Sequence, residues 1–222
     1  MTVLKALIKR NVKVYFKDKG MFFSSLITPI ILLVLYSTFL KKIYDDSFRT
    51  ALSAAGAAVK KEIIGGCVGG ELISSLLAVS CVTVAFCSNL LMIRDKTSGA
   101  RQDFTVSPVN SGTLAIAYCL STLVSTLIVN FTALIACLLY LTAQGWYLSA
   151  ADVLKIILDV VLITLFGTAL SSLVNSFLST DGQASAVGTI VSAGYGFICG
   201  AYMPISNFSP ALQKAFSFLP ST

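Results

Sequence analysis

An all-α, polytopic membrane helix bundle with an N-terminal amphipathic interface helix is the fold class this sequence predicts. Three observations carry it. Of the 222 residues, 56% are hydrophobic and 12% charged, too little polar surface for a soluble domain. Several stretches run for about 20 residues with almost no charge, the length a helix needs to cross a hydrocarbon core roughly 30 Å thick. The alternating segments of about ten residues that a closed barrel requires are absent, which leaves helices as the spanning structure. The whole chain, 1–222, reads as a single transmembrane domain.

Residues 1–20 come first. At about 100° per residue, Val3, Leu4, Leu7, Ile8, Val12, Val14 and Tyr15 fall on one half of a helix, and Lys5, Lys9, Arg10, Lys13 and Lys17 on the other. That is the pattern of a helix lying in the interface, its apolar side in the acyl boundary and its basic side toward anionic head groups or a cytoplasmic partner. The alternative is a bare topology signal with no helix of its own. A cleaved signal peptide fits less well, because the apolar run that follows is too long and no small-x-small site closes it.

The first span is read over 21–40, with Pro29 loosening the helix without ending it. Residues 41–71 hold Lys41, Lys42, Arg49, Lys60 and Lys61 and end in Gly65, Gly66, Gly69 and Gly70. These glycines either lead into the next helix or break it into a re-entrant piece. The second span is read over 72–93, and a polar stretch over 94–112 follows, punctuated by Gly99, Pro108 and Gly112.

The third span lies within 114–141, in a region without charge between Asp103 and Asp152. Trp146 with Tyr147 then reads as an interfacial belt. The fourth span is read over 156–178, with Asp159 and Lys155 as an i, i+4 pair near its outer end, and the fifth over 184–203. Gly196 and Gly200 form a G-x-x-x-G, the spacing at which helices pack closely. The bias of Lys and Arg places the N-terminus in the cytoplasm, so 94–112 lies inside, while 41–71 and 142–155 lie outside.

For chemistry, the chain argues by omission. It has no histidine and no C-x-x-C pair, and its six cysteines, Cys67, Cys81, Cys87, Cys119, Cys137 and Cys199, sit in apolar surroundings, so neither a metal site nor a disulfide framework is expected. No G-x-x-x-x-G-K-[ST] loop occurs, so any ATP would be bound by another chain. An ion-coupled carrier or channel without an ATPase is the alternative, and its candidates are Glu71 and Asp159.

The stretch RDKTSGARQDFTVSPVNSG, 94–112, resembles the cytoplasmic loop of the type-2 family of ATP-binding-cassette (ABC) export permeases, through Asp95, Gly99, Ser107, Pro108 and Val109. Thr97 and Gln102 stand where that family often has acids. LIKRNVKVYFKDKGMFFSSLITPIILLVLY, 7–36, is similar to its interface helix and first span, Asp18 included. GFICGAYMPISNFSPALQKAFSFLP, 196–220, resembles the outer end of its fifth span, with Pro204, Pro210 and Pro220 in a segment of short extracellular helices over 204–222.

The resemblance implies the membrane subunit of an ATP-driven exporter of a hydrophobic or amphipathic cargo, a drug, lipid or glycan. It implies a second permease subunit, as a homo- or heterodimer, and a separate nucleotide-binding subunit. Membrane lipid is an expected partner and nucleic acid is not. This chain would bind no cofactor, with ATP and Mg held by the partner, and would sit in the plasma membrane, a bacterial inner membrane. The loop residues expected to couple to the partner are Arg94, Asp95, Gly99, Arg101, Phe104, Ser107, Pro108 and Val109, and the interface helix contributes Lys5, Lys9, Arg10, Lys13, Lys17 and Asp18. Six spans are implied; five are read before Thr222, so a sixth is expected to be missing.

Overall fold

The computed structural model describes residues 2–36, 38, 41–54, 61–107, 109–144, 148–202, 205 and 208–217. Leu40, Lys60, Pro108, Trp146, Tyr147, Met203, Pro204 and Pro220 therefore lie outside the described residues, and with them the expected interfacial belt. Among the described residues the regular elements are helices: α1 (Thr2–Lys17), α2 (Lys19–Leu35), α3 (Lys41–Ala54), α4 (Lys61–Thr97), α5 (Ala100–Val106), α6 (Ser111–Gln144), α7 (Ala150–Phe177), α8 (Asp181–Ile198) and α9 (Pro210–Phe216).

Three of them, over Ile64–Thr97, Ser111–Thr142 and Ala150–Phe177, are long and apolar enough to cross a membrane, and a fourth span results if α1 and α2, bent by 72°, form one broken crossing. Five spans were expected. The expected first and fifth spans correspond to α2, with 17 residues, and to α8, with 18, which opens on the polar run Asp181, Gly182, Gln183.

α4 is the axis of the bundle. Of its apolar window 83% is buried, against 22% for α7, because α7, α6, α2, α8 and α3 all pack around it. The outer sides of α6 and α7 keep Ile128, Ile135, Leu139, Leu158, Leu162 and Leu173 exposed, and that is the side left for lipid. The glycine lead does not break α4: a single helix of 37 residues passes through it. Gly69 is where Leu141 of α6 presses in, 2.9 Å from where a Cβ would stand.

Asp18 makes the bend between α1 and α2. Its carboxylate accepts from the Met21 amide at 3.1 Å and caps α2, occupying one of the amides that a helix start leaves unpaired. Pro29 is buried inside α2, and the helix runs through it. One stripe of α1 turns to the protein: Leu7, Asn11 and Tyr15, at i, i+4 and i+8, are buried, and α1 packs on α6. Leu4, Ile8, Val12 and Val14 beside this stripe are half-buried and Val3 is exposed, so the protein covers only part of the face expected to lie in the acyl boundary.

Two further expectations change. Gly200 lies beyond the end of α8 with φ +75, where the Ala201 amide donates to the Gly196 carbonyl at 2.9 Å and the Gly200 amide to Phe197 at 3.2 Å. This is a Schellman stop, and Gly196 is covered by the ring of Tyr202, so the G-x-x-x-G ends a helix instead of packing two. Lys155 pairs with Asp152 at 3.1 Å and not with Asp159, because Asp152 is fixed on the Ser149 amide in a capping box.

Gly200→Val is accordingly expected to destabilise the chain by about 1–2 kcal/mol, the left-handed penalty of a side chain. Gly194→Ala, in open space within α8, should be neutral or stabilising. Thermal unfolding of the two purified variants checks this, and equal midpoints would contradict it.

Candidate functional site

The polar sequence Arg94-Asp95-Lys96 is the last turn of α4. Consecutive helical residues point about 100° apart, and these three reach three different elements. Arg94 forms an ion pair with Asp18 at the α1–α2 bend. Asp95 is bound by both Arg10 nitrogens, Nη2 donating at 3.1 Å, and by the Tyr118 hydroxyl at 2.6 Å. Lys96 donates to the carbonyls of Leu178 at 3.0 Å and Ser176 at 3.3 Å, closing the C-terminus of α7.

The electrostatics explain the arrangement. Cations near a helix C-terminus are favoured by its dipole and an anion is not, so Asp95, 5% exposed, needs compensation. Arg10 supplies it with a two-pronged grip, the geometry in which guanidinium and carboxylate bond best. Arg10 also lies over the Phe104 ring at 5.4 Å and donates to Asn11 at 2.9 Å, while Asn11 donates to Ser121 of α6 at 3.3 Å. Asp18 is held below its usual value, first by the Met21 amide and then by Arg94, and so remains ionised for both partners.

The segment read as a polar loop is mostly helical. α4 runs to Thr97, Gly99 takes φ +81, a conformation open to glycine at little cost, and the chain turns into α5. One face of α5 is held through Phe104, and the other end is free: Val106 is 89% exposed, and Arg101 and Asp103 are exposed beside it. Ser107 closes α5 through a bond to the Phe104 carbonyl at 2.8 Å, and Phe104 and Val109 pack against the buried cluster that includes Leu91, Leu114 and Tyr118.

Thus the structure brings Arg10, Asp18, Arg94, Asp95 and Phe104 together. Lys5, Lys9, Lys13 and Lys17 stay exposed and form no ion pair among the described residues. Pro108 lies outside the described residues.

Three features escaped the sequence reading. Tyr118 sits in an apolar run 23 residues from Asp95, with no local cue. Asn11 did have one, since it interrupts the apolar arc of α1. The third is a polar seam inside the bundle: Asn89 of α4 donates to Ser171 and Ser172 of α7 at 3.3 and 3.2 Å and accepts from Thr122 of α6 at 3.4 Å. Farther from α5, Asn130 of α6 donates to Thr164 of α7 at 3.2 Å. Thr164, Thr168, Ser171 and Asn175 recur at i, i+4, i+7 and i+11 and are all buried, a legible helical stripe. Such bonds hold membrane helices together where no hydrophobic force does. The seam contains no titratable acid; Glu71 is only half-buried and Asp159 is exposed.

Among the described residues no cluster of histidine, cysteine, aspartate or glutamate could hold a metal. The family model described as ABC-2 type transporter matches residues 2–222. No curated protein and no solved structure matches the chain.

Proposed function

The chain belongs to the ABC-2 type transporter family, as a multi-pass membrane permease and not the ATPase subunit, and from that premise we propose that it is the membrane half of an ATP-driven exporter coupled through α5. Two such chains would form the pathway, with N-termini in the cytoplasm, and a separate nucleotide-binding subunit would hold ATP and Mg beneath each. The cargo is a hydrophobic or amphipathic drug, lipid or glycan, moved outward.

One observation carries this reading: α5 presents an exposed apolar tip, Val106, while its other side is tied through Phe104 and Arg10 to Asp95. A partner can shift a membrane helix only by binding its two arrangements with different affinity, and a stiff connection must transmit that difference. Here a push on α5 reaches α1 through Arg10, and the α1–α2 bend through Arg94 and Asp18. It also reaches α4, whose 37 residues carry it along roughly 55 Å of helix. At the far end α4 meets the Tyr36 hydroxyl through the Val68 carbonyl.

Co-purification with the nucleotide-binding subunit provides the test. Val106→Asp adds a charge to an exposed position and leaves the clamp alone. Buried at an interface without a partner, it should weaken retention by at least about tenfold, whereas Lys155→Ala, exposed on α7, should leave retention intact. Full retention by Val106→Asp would remove α5 as the docking element.

A further inference from the structure

We propose that the cleft enclosed by the last turn of α4, α5 and the facing ends of α6 and α7 binds the phosphate headgroup of an anionic phospholipid. The cleft has a volume of about 300 Å³ and two cations in its wall, Lys96 and Arg101, with no acidic residue among the side chains that line it. Neither cation makes an ion pair among the described residues. Of the neighbouring carboxylates, Asp95 is engaged by Arg10 and Tyr118 and Asp18 by Arg94, while Asp103 on α5 is exposed and outside the cleft lining. Lys96 is held by two carbonyls at the C-terminus of α7, which orient its ammonium and offset only the fraction of its charge that a helix dipole can.

The N-terminus of α6, a helix of 34 residues, opens on the same cleft through Ser111 and adds the positive end of its dipole. Opposite these polar groups the wall is apolar, with Met92, Phe104 and Leu114. An anion beside hydrocarbon is the chemistry of an amphiphile, and the cleft lies where helices of membrane length reach their polar ends, the depth at which basic clefts between helices meet lipid phosphates. A cavity of this size, at the lower end for ligand sites, takes the phosphate, its glycerol and the first methylenes, while the rest of the chains lie outside.

A headgroup bridging Lys96 on α4 and Arg101 on α5 would fasten α5 across the Gly99 turn. Binding itself requires no nucleotide-binding partner, so it can fail or hold independently of the coupling role.

The full chain, purified in an uncharged detergent, is titrated with dioleoyl phosphatidylglycerol or dioleoyl phosphatidylcholine, and retained lipid is read by native mass spectrometry. Preferential retention of phosphatidylglycerol is expected, weakened about fivefold by Arg101→Gln and about 25-fold when Lys96→Gln is added. Lys155→Gln, exposed near the start of α7 and outside the cleft lining, should change nothing. Arg101→Gln is decisive by itself if the double variant folds poorly, because Arg101 is exposed and has no ion pair to lose. Equal retention of both lipids, or unaltered retention by Arg101→Gln, overturns the proposal. So does full displacement of the lipid by millimolar glycerol phosphate or inorganic phosphate, which would assign the cleft to a soluble phosphoryl compound.

Discussion

Asp95→Ala is expected to release α1 from the bundle and to abolish transport. The substitution leaves Arg10 facing Tyr118 and the Phe104 ring without its anion and removes the acceptor of the Tyr118 hydroxyl. Breaking a fully buried pair by removing one partner costs about 3–5 kcal/mol. Arg10 retains 35% exposure, so solvent recovers part of that loss and about 2–3 kcal/mol is the fitting scale.

Limited proteolysis at the basic face of α1 and the thermal unfolding midpoint both read this loss. Asp95→Asn, which still accepts from one donor, should fall between wild type and alanine. Neutralising both partners, Arg10→Gln with Asp95→Asn, should be milder than the sum of the single changes, because no unpaired charge remains. Wild-type cleavage and an unmoved midpoint in Asp95→Ala would show that the clamp does not hold α1.

The second large effect belongs to Gly167. A Cβ there would stand 3.1 Å from the Cys81 carbonyl oxygen, 3.1 Å from the Val82 Cα and 3.5 Å from the Ala85 Cβ. Two of these are main chain of α4, which cannot yield without moving the helix. Gly167→Ala therefore demands a shift of a few tenths of an ångström, and Gly167→Leu demands separation of α7 from α4. Overpacking costs typically about 1–3 kcal/mol, and here the shift also stretches the bonds from Asn89 to Ser171 and Ser172. A graded fall in the yield of monodisperse protein, from glycine to alanine to leucine, is the expected result. If leucine matched wild type, the close approach of α4 and α7 would be wrong.

Glycine shows how far reading from sequence reaches. The G-x-x-x-G of Gly196 and Gly200 has the spacing of a packing motif, but the same residue type also serves a helix end that needs positive φ, and spacing does not distinguish the two uses. Gly167, the glycine against which a second backbone packs, has no glycine partner at that spacing; its small neighbour four residues on is Ser171. Lys155 shows the same limit on a smaller scale. Its distance to Asp159 suits a pair, yet Asp152 takes it because a capping box has already fixed that carboxylate.

What the sequence determined alone is whatever depends on consecutive residues: membrane residence, helix as the only spanning form, the runs that become α6 and α7, the amphipathic α1, and a charged interruption after the second span. Hydropathy and helical period are local properties, and a bilayer penalises any backbone arrangement that leaves amides unpaired. Tertiary structure alone decided which charge meets which. Arg10 finds Asp95 across 85 residues and Arg94 finds Asp18 across 76, pairings with no trace in spacing because they form only when α1, α4 and α6 converge. The same convergence makes α4 the axis, since central position depends on how many neighbours surround a helix and not on how apolar that helix is.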